Sequence, residues 1–503
     1  MLSKVYAPAL FSLDGRLIEI ECDMANGLPG FVVVGLADKA VEEARERVRS
    51  AIRNSGLILP QKRLTLNLAP ADLPKDGTGY DMGLAVAVLV ASGQLDPAAI
   101  ASCLFLGELA LDGTVRPVRG ALLAAQLAQN SAFTRIFVPA ANAAEASLVA
   151  DTLVYPVTNL AQLYRHLTGG LSISVVNKTT TVPLVAAEAS VDMSNISGQD
   201  MPKRAAEIAA AGGHNLLLSG PPGAGKSLLA KAMVGLLPPL EFDEIVEVTR
   251  IYSLAGLNLN GVMSERPFRA PHHTASSVAL IGGGTNPKPG EISLSHRGIL
   301  FLDELPEFPR AVLEVLRQPL EDGHVTVSRA SRAATFPAQF MLVGTRNPCP
   351  CGYAGDKHHK CNCNPGEILR YQKRLSGPFL DRIDLVVEVA RVQTDLLIDK
   401  SLAESTATVA SRVARARTIQ RRRYKDETDI QLNAHLAPHH VEKYCALNSS
   451  TKLIAKSAMD NLGLSARGYS RTLKVARTIA DLSGSENIIQ AHFTEALQYR
   501  ARS

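Results

Sequence analysis

The stretch His214-Asn-Leu-Leu-Leu-Ser219 runs into Gly220-Pro221-Pro222-Gly223-Ala224-Gly225-Lys226-Ser227 and then into Leu228-Leu-Ala-Lys-Ala-Met233. This is an apolar strand, a GxxxxGK[ST] loop and a helix, and the order constrains the fold more than anything else in the chain. Such a loop leaves the end of a buried parallel strand, so the surrounding domain is expected to be α/β. Its glycines let successive backbone N–H groups curl around phosphate oxygens. Residues 220 to 227 are therefore expected to bind ATP, with Lys226 reaching the β and γ phosphates and Ser227 holding Mg2+.

Gly298-Ile-Leu-Phe-Leu-Asp303-Glu304 supplies the complement, an apolar strand that delivers two carboxylates at its carboxyl end. Asp303 is expected to orient the Mg2+ shell. Glu304 has no phosphate charge to neutralise and suits polarisation of the attacking water. Either carboxylate alone could cap a helix starting near Pro309. Three further places could serve the γ phosphate: Asn347 after the apolar run from Phe340 to Val343; Arg382 in Gly377-Pro-Phe-Leu-Asp381-Arg382-Ile-Asp384; and Arg467 or Arg471 at the start of an amphipathic helix with Leu473, Val475, Ala476 and Ile479. Each arginine could equally be a surface ion pair.

At 503 residues the chain exceeds one core, and two or three domains are expected. Residues 1–168 mix periods: Leu64, Leu66 and Leu68 alternate as in a half-buried strand, while Val41, Ala44, Val48 and Ile52 recur at helical spacing. This predicts an α+β or α/β domain, followed by a linker over 169–190 without stable periodicity, an α/β core over 191–390 and a helical lid over 391–503. No apolar run is long enough to span a membrane, and the N-terminus lacks a secretory pattern, so a cytoplasmic location is expected. The net charge of +5 leans only weakly toward polyanions. Basic residues thicken over 410–425 and 467–477, as either solvated helix faces or functional surface.

Taken in order, the 220–227 and 299–304 motifs, Asn347-Pro-Cys-Pro-Cys-Gly352, Leu375-Ser-Gly-Pro-Phe-Leu-Asp-Arg-Ile-Asp384 and Leu464-Ser-Ala-Arg-Gly-Tyr-Ser-Arg-Thr-Leu-Lys-Val-Ala-Arg-Thr-Ile-Ala-Asp-Leu482 resemble the magnesium-chelatase-like AAA+ family called YifB or ComM, across essentially the whole chain. The resemblance implies sensor 1 at Asn347, an arginine finger at Arg382 and sensor 2 at Arg467 or Arg471. It also implies a homo-hexamer with ATP at subunit interfaces and, for ComM members, a DNA helicase that promotes branch migration in natural transformation. A magnesium-chelatase-type subunit and a protein-remodelling ATPase are the alternatives. The N-terminal segments Pro74-Lys-Asp-Gly77-Thr-Gly79-Tyr-Asp81 and Phe105 to Pro117 are similar to the Lon protease domain. Gly79 stands where that family's nucleophilic serine belongs, and Val118 to Ala124 lacks its lysine, which implies a Lon-like fold without peptidase chemistry.

In this AAA+ branch hairpins line a central pore. His324-Val-Thr-Val-Ser-Arg329-Ala-Ser-Arg332 alternates as a hairpin strand, so Arg329 and Arg332 are the leading expected DNA phosphate contacts, with Lys288 and Arg269 behind; solvated hairpin charge is the plainer alternative. Adjacent His272 and His273 are expected to face different ways and not to hold metal. Cys349-Pro-Cys351 and Cys361-Asn-Cys363 frame a polar loop over 349–363, and four thiolates so spaced can close a structural Zn2+ site, with His358 or His359 able to replace one ligand; reduced, unliganded thiols are the alternative.

Overall fold

The computed structural model describes residues 2–500 except 12, 36–38, 74, 76, 150–151, 180–181, 183–190, 258–260, 285–286, 330–331, 357–358, 393–402, 428–429 and 463. Of the 169–190 segment that carries the expected linker, residues 180–181 and 183–190 thus lie outside the described residues.

The N-terminal body is a seven-stranded mixed sheet. Its strands run, in spatial order, Gly30–Val34, Arg63–Ala69, Asp14–Ala25, Leu2–Phe11, Cys103–Phe105, Arg135–Pro139 and Leu153–Val157. The long hairpin Leu2–Phe11 with Asp14–Ala25 is antiparallel, and the strands beyond Leu2–Phe11 add in parallel. Leu64, Leu66 and Leu68 alternate inward as the period requires, and Val41, Ala44, Val48 and Ile52 bury one face of the Lys39–Asn54 helix. The Asp81–Ala91 helix is buried along its whole length beneath the sheet, so its sequence is apolar all round. Packing continues beyond residue 168: Ile173 is in this core and Val176 bridges to Val154.

The second body is a five-stranded parallel sheet ordered Phe268–Arg269, Ile299–Leu302, Met341–Arg346, Leu216–Ser219 and Leu385–Glu388. Its central strands are buried on both faces, which explains their unbroken apolar runs. Two separate hairpins leave this body, Gly282–Gly283 with Lys288–Pro289, and His324–Arg329 with Arg332–Pro337.

After Glu388 the described regular elements are helical, including Thr406–Arg423, Ala466–Leu482 and Gln490–Gln498. The basic run on Thr406–Arg423 is neither a wholly solvated face nor a free surface. Arg412 bonds Glu207 at 2.5 Å, Arg417 donates to the Ala210 carbonyl at 2.7 Å, and Arg423 pairs with buried Asp481 at 2.5 Å. Arg415 and Arg422 remain exposed. Arg412 and Arg417 thereby tie the Thr406–Arg423 helix to the Asp200–Gly212 helix of the core, and Arg423 ties it to the Ala466–Leu482 helix.

The N-terminal body docks on the core through the Ala121–Asn130 helix. Leu122 and Leu148 share an apolar cluster with Leu240, Ile245 and Val248, and the Ser253 hydroxyl accepts the Gly120 N–H at 2.8 Å.

Candidate nucleotide site

Parallel strands place all their carboxyl ends on one edge of the core sheet, where loops with unpaired backbone groups gather. At that edge the 220–227 loop leaves Ser219, with Gly223 and Gly225 at φ of +77° and +88°, a region open mainly to glycine. The loop is wedged between neighbouring strand ends: the Gly220 N–H donates to the Arg346 carbonyl at 3.1 Å, and a Cβ at 220 would lie 2.1 Å from the Val389 oxygen.

Lys226 is only 8% exposed. Its Nζ donates to the Gly220 carbonyl at 2.5 Å, the Pro221 carbonyl at 2.9 Å and Asn347 Oδ1 at 2.9 Å. Burial holds its ammonium below the ordinary lysine pKa, against the opposing charges of Asp303 and Glu304. The cation therefore waits on carbonyls that phosphate oxygens can replace, and Asn347 is already joined to it. Ser227 Oγ donates to Asp303 Oδ2 at 3.0 Å, so a hydroxyl and a carboxylate converge as the oxygen donor set Mg2+ prefers. Glu304 projects at the same edge from a left-handed residue, φ +53°, and is exposed. Glu304 sits at the N-cap position of a 3-10 turn, Leu305–Glu307, but its side chain makes no capping bond, and the next α-helix begins at Arg310 after Pro309.

Thr345 was not among the expected residues, yet it orients both acids. Its buried hydroxyl donates to Asp303 Oδ1 at 2.5 Å and accepts the Glu304 N–H at 2.9 Å. Arg346 also lies beside the loop, with Nε donating to Ser219 Oγ at 3.2 Å, and burial lowers its pKa. A polar residue ending an apolar strand just before Asn347 was the available signal for both.

The three expected arginines lie at the opposite edge. Asn215, immediately before the Leu216–Ser219 strand, accepts nothing from the phosphate side; its N–H donates to Asp384 at 3.1 Å and its amide to the Arg382 carbonyl at 3.0 Å. Arg471 donates to Asp384 at 2.7 Å. Burial alone would raise the Asp384 pKa, but the Arg471 guanidinium, with the His214 ring 3.5 Å away, holds it well below the usual carboxylate range. Arg382, 5% exposed, pairs with Glu321 at 2.7 Å, and Arg467, with about half its side chain exposed, reaches the same Glu321 at 3.2 Å. A four-residue strand, roughly 13 Å long, separates these groups from the 220–227 loop.

Arg269, expected as a phosphate contact, is instead held by Glu291 through two bonds of 2.6 and 2.7 Å on an edge strand of the core sheet. Lys288 is exposed on its short hairpin. Arg329 and Arg332 are paired through their backbones at the closing register of the longer hairpin, and the tip between them lies outside the described residues. His272 and His273 do not face apart as expected: their rings pack with centroids 4.1 Å apart, and the His272 ring bonds the Thr274 hydroxyl. Cys349, Cys351, Cys361 and Cys363 bring their sulfurs within 4.8 Å of one another, the one His, Cys, Asp and Glu cluster of metal-site size among the described residues. His358 lies outside the described residues; His359 is exposed and edge-on to the Tyr353 ring. At Gly79 an added Cβ would sit 2.9 Å from Leu106, so the space a serine would take is partly filled.

Three family descriptions match consecutive parts of the chain: subunit ChlI of Mg-chelatase over 20–142, magnesium chelatase subunit ChlI over 192–397, and its C-terminal region over 403–500. The chain is 45% identical to competence protein ComM of Haemophilus influenzae over 99% of its own length and 97% of that protein's. It is 43% identical, with the same coverage, to the uncharacterized protein YifB of Escherichia coli. Against the magnesium-chelatase subunit ChlI of Euglena gracilis, identity is 25% over 26% of this chain and 45% of that protein. An ATPase of the AAA+ type with ATP and Mg2+ as its cofactors follows from this membership, and no described helix is long and apolar enough to cross a membrane. The chain belongs to the magnesium-chelatase-like ComM/YifB family of AAA+ ATPases.

Proposed function

We propose that the chain is an ATP-driven, cytoplasmic DNA motor, a hexameric helicase that promotes branch migration of recombination intermediates in natural transformation. The observation that carries the ring is the division of charged groups across the core sheet. Lys226, Ser227, Asp303, Glu304 and Asn347 stand at one edge, and Arg382, Arg467 and Arg471 at the other. The arginines are out of reach of their own chain's nucleotide and serve a neighbour's, as finger and sensor 2, when subunits stack edge to edge. Arg467, more exposed than Arg471, is the better sensor 2.

In this site Lys226 would leave the Gly220 and Pro221 carbonyls to neutralise the β and γ phosphates, and Ser227 with Asp303 would hold Mg2+, which would supply charge screening. Glu304 accepts the proton of the attacking water, and Asn347 fixes the γ phosphate end of Lys226. Arg329, Arg332 and Lys288 are assigned to DNA phosphates, while the Glu291 pairing makes Arg269 a support of the edge strand. The four cysteines are assigned a structural Zn2+ ion. Similarity over 99% of the chain to a protein named for competence, against 26% of the chain for the Euglena gracilis chelatase subunit, favours DNA over porphyrin chemistry.

The test is ATP-dependent resolution of labelled three-stranded and four-way DNA junctions by purified protein, with Glu304→Gln as control. Product from the wild type alone supports the motor. ATP hydrolysis with every junction left intact would sink it in favour of a chelatase-type or protein-remodelling role.

A further inference from the structure

The cysteine cluster is built against the nucleotide site. Cys349 follows Asn347 by two residues, and Cys363 lies two residues before the Pro365–Gln372 helix. The Sγ atoms of Cys349 and Cys351 are 3.4 Å apart, those of Cys349 and Cys361 3.7 Å, and those of Cys351 and Cys361 3.5 Å. Thiolates ~2.3 Å from one tetrahedral Zn2+ ion stand about 3.8 Å from each other, whereas a disulfide needs about 2.0 Å. The observed spacing is that of four ligands around a single ion, and a polynuclear iron–sulfur centre would need its sulfurs spread around several irons. Backbone N–H groups point at the sulfurs as second partners: Ala354 donates to Cys349 at 3.2 Å, and Tyr353 and Asn362 hydrogen-bond Cys351. The loop has no helix or strand of its own among its described residues, so little else fixes its path.

The path matters because Gly352, inside the cluster, touches the phosphate loop. Its φ is +86°, and a Cβ there would lie 2.6 Å from Pro222 Cδ and 3.9 Å from Asn347 Cγ. The helix that follows the cluster brings buried Tyr371 against the backbone of Asn347. Asn347 in turn holds Lys226 at 2.9 Å.

The geometry points to a zinc-tied buttress: one Zn2+ bound by Cys349, Cys351, Cys361 and Cys363 clamps the 349–363 loop so that Gly352 seats the phosphate loop and Asn347 stays on Lys226, making tight nucleotide binding depend on zinc. The inference rests on the ATP and zinc readings above, and deepens them by giving the metal a positioning role. Zinc does no chemistry here; with all four positions filled by thiolate it has no open site for water or substrate.

The test uses the purified full-length chain. Zinc content is measured by elemental analysis, and cobalt uptake by the absorption bands of a tetrahedral tetrathiolate site. Binding of a fluorescent ADP in Mg2+ is then compared before and after phenanthroline, which removes zinc and leaves Mg2+, and again after zinc is restored. Expected are one zinc per chain, its loss from the Cys361→Ser/Cys363→Ser double variant, and a fall in nucleotide affinity of the order of tenfold or more on stripping, reversed by zinc. Gly352→Ala keeps its zinc and shows the same weakened binding, which separates the contact from any folding defect in the cysteine variants. A chain that carries no zinc and takes up no cobalt overturns the proposal, as does zinc retained by the double variant. Unchanged ADP binding after stripping, or in Gly352→Ala, overturns the buttress while leaving the ATP site intact. Failure of the loaded, untreated chain to bind ADP removes the nucleotide reading itself.

Discussion

Thr345 shows how much of the catalytic geometry rests on a neutral side chain. Its single buried hydroxyl both donates to Asp303 and accepts from the Glu304 backbone, so it fixes Asp303, proposed to hold Mg2+, and the left-handed turn that presents Glu304, proposed to activate water. Thr345→Val keeps the shape but strands the Glu304 N–H and removes a donor from Asp303. The expected cost is about 1–3 kcal/mol in stability, read by thermal denaturation, with a lowered kcat and a higher Mg2+ requirement. Glu304→Gln changes the base and leaves the turn. It should retain ATP while losing about a hundredfold or more in turnover, measured as nucleotide retention against phosphate release. The linear order marks Thr345 only as a polar residue ending an apolar strand; its role is hidden because its partners lie 41 and 42 residues away.

At the scale of elements, the contact between the Phe242–Ala255 helix and the segment before the Ile299–Leu302 strand carries a pH dependence. Burial, the largest single influence, raises the Glu247 pKa, but the hydrogen bonds and charges of His296 at 3.0 Å and Arg297 at 2.7 Å together bring it down to about 2. A carboxyl whose folded pKa is depressed stabilises the fold above its unfolded pKa and loses that contribution as pH falls through the folded value. Stability should therefore decline between about pH 4.5 and about pH 2, and Glu247→Gln should flatten that part of the profile in denaturant titrations at each pH. A flat wild-type profile in this window would contradict the pairing. The helix Thr406–Arg423 teaches the same lesson from sequence: an Arg-rich run looks like a solvated or polyanion-binding face until the core shows that Arg412, Arg417 and Arg423 turn inward to Glu207, a backbone carbonyl and Asp481.

For the whole molecule, the proposed ring follows from phosphate-loop groups on one sheet edge and arginines on the other, and it predicts that one subunit completes its neighbour's site. Lys226→Ala and Arg382→Ala should each abolish hydrolysis, yet their mixture should regain part of it, since a ring that combines them contains some interfaces with an intact loop and an intact arginine. A mixture as inactive as either parent would remove the edge-to-edge arrangement. The N-terminal body is joined to this machinery by an apolar contact, with Leu122 fully buried against Leu240 and Ile245. Leu122→Ala should cost about 2–5 kcal/mol and expose the boundary between the bodies to limited proteolysis, without altering the residues that hold phosphate.

The linear order by itself determined the chemistry of the phosphate loop, since glycines, lysine and hydroxyl act through their own backbone and immediate neighbours. It also set the parallel core strands, whose burial on both faces leaves unbroken apolar runs, and the Gly79 departure from a peptidase. Only the tertiary structure decided which cations are free. Arg269 and Lys288 read alike in sequence, but one is locked by Glu291 and the other is exposed. It likewise decided that Asn347 meets Lys226, that Arg382 and Arg467 share Glu321 far from the loop, and that the cysteine cluster leans on Pro222. Those outcomes depend on which distant segments the sheet brings to the same edge. Charge, burial and hydrogen bonding between them are properties of that assembly and have no local signature in the chain.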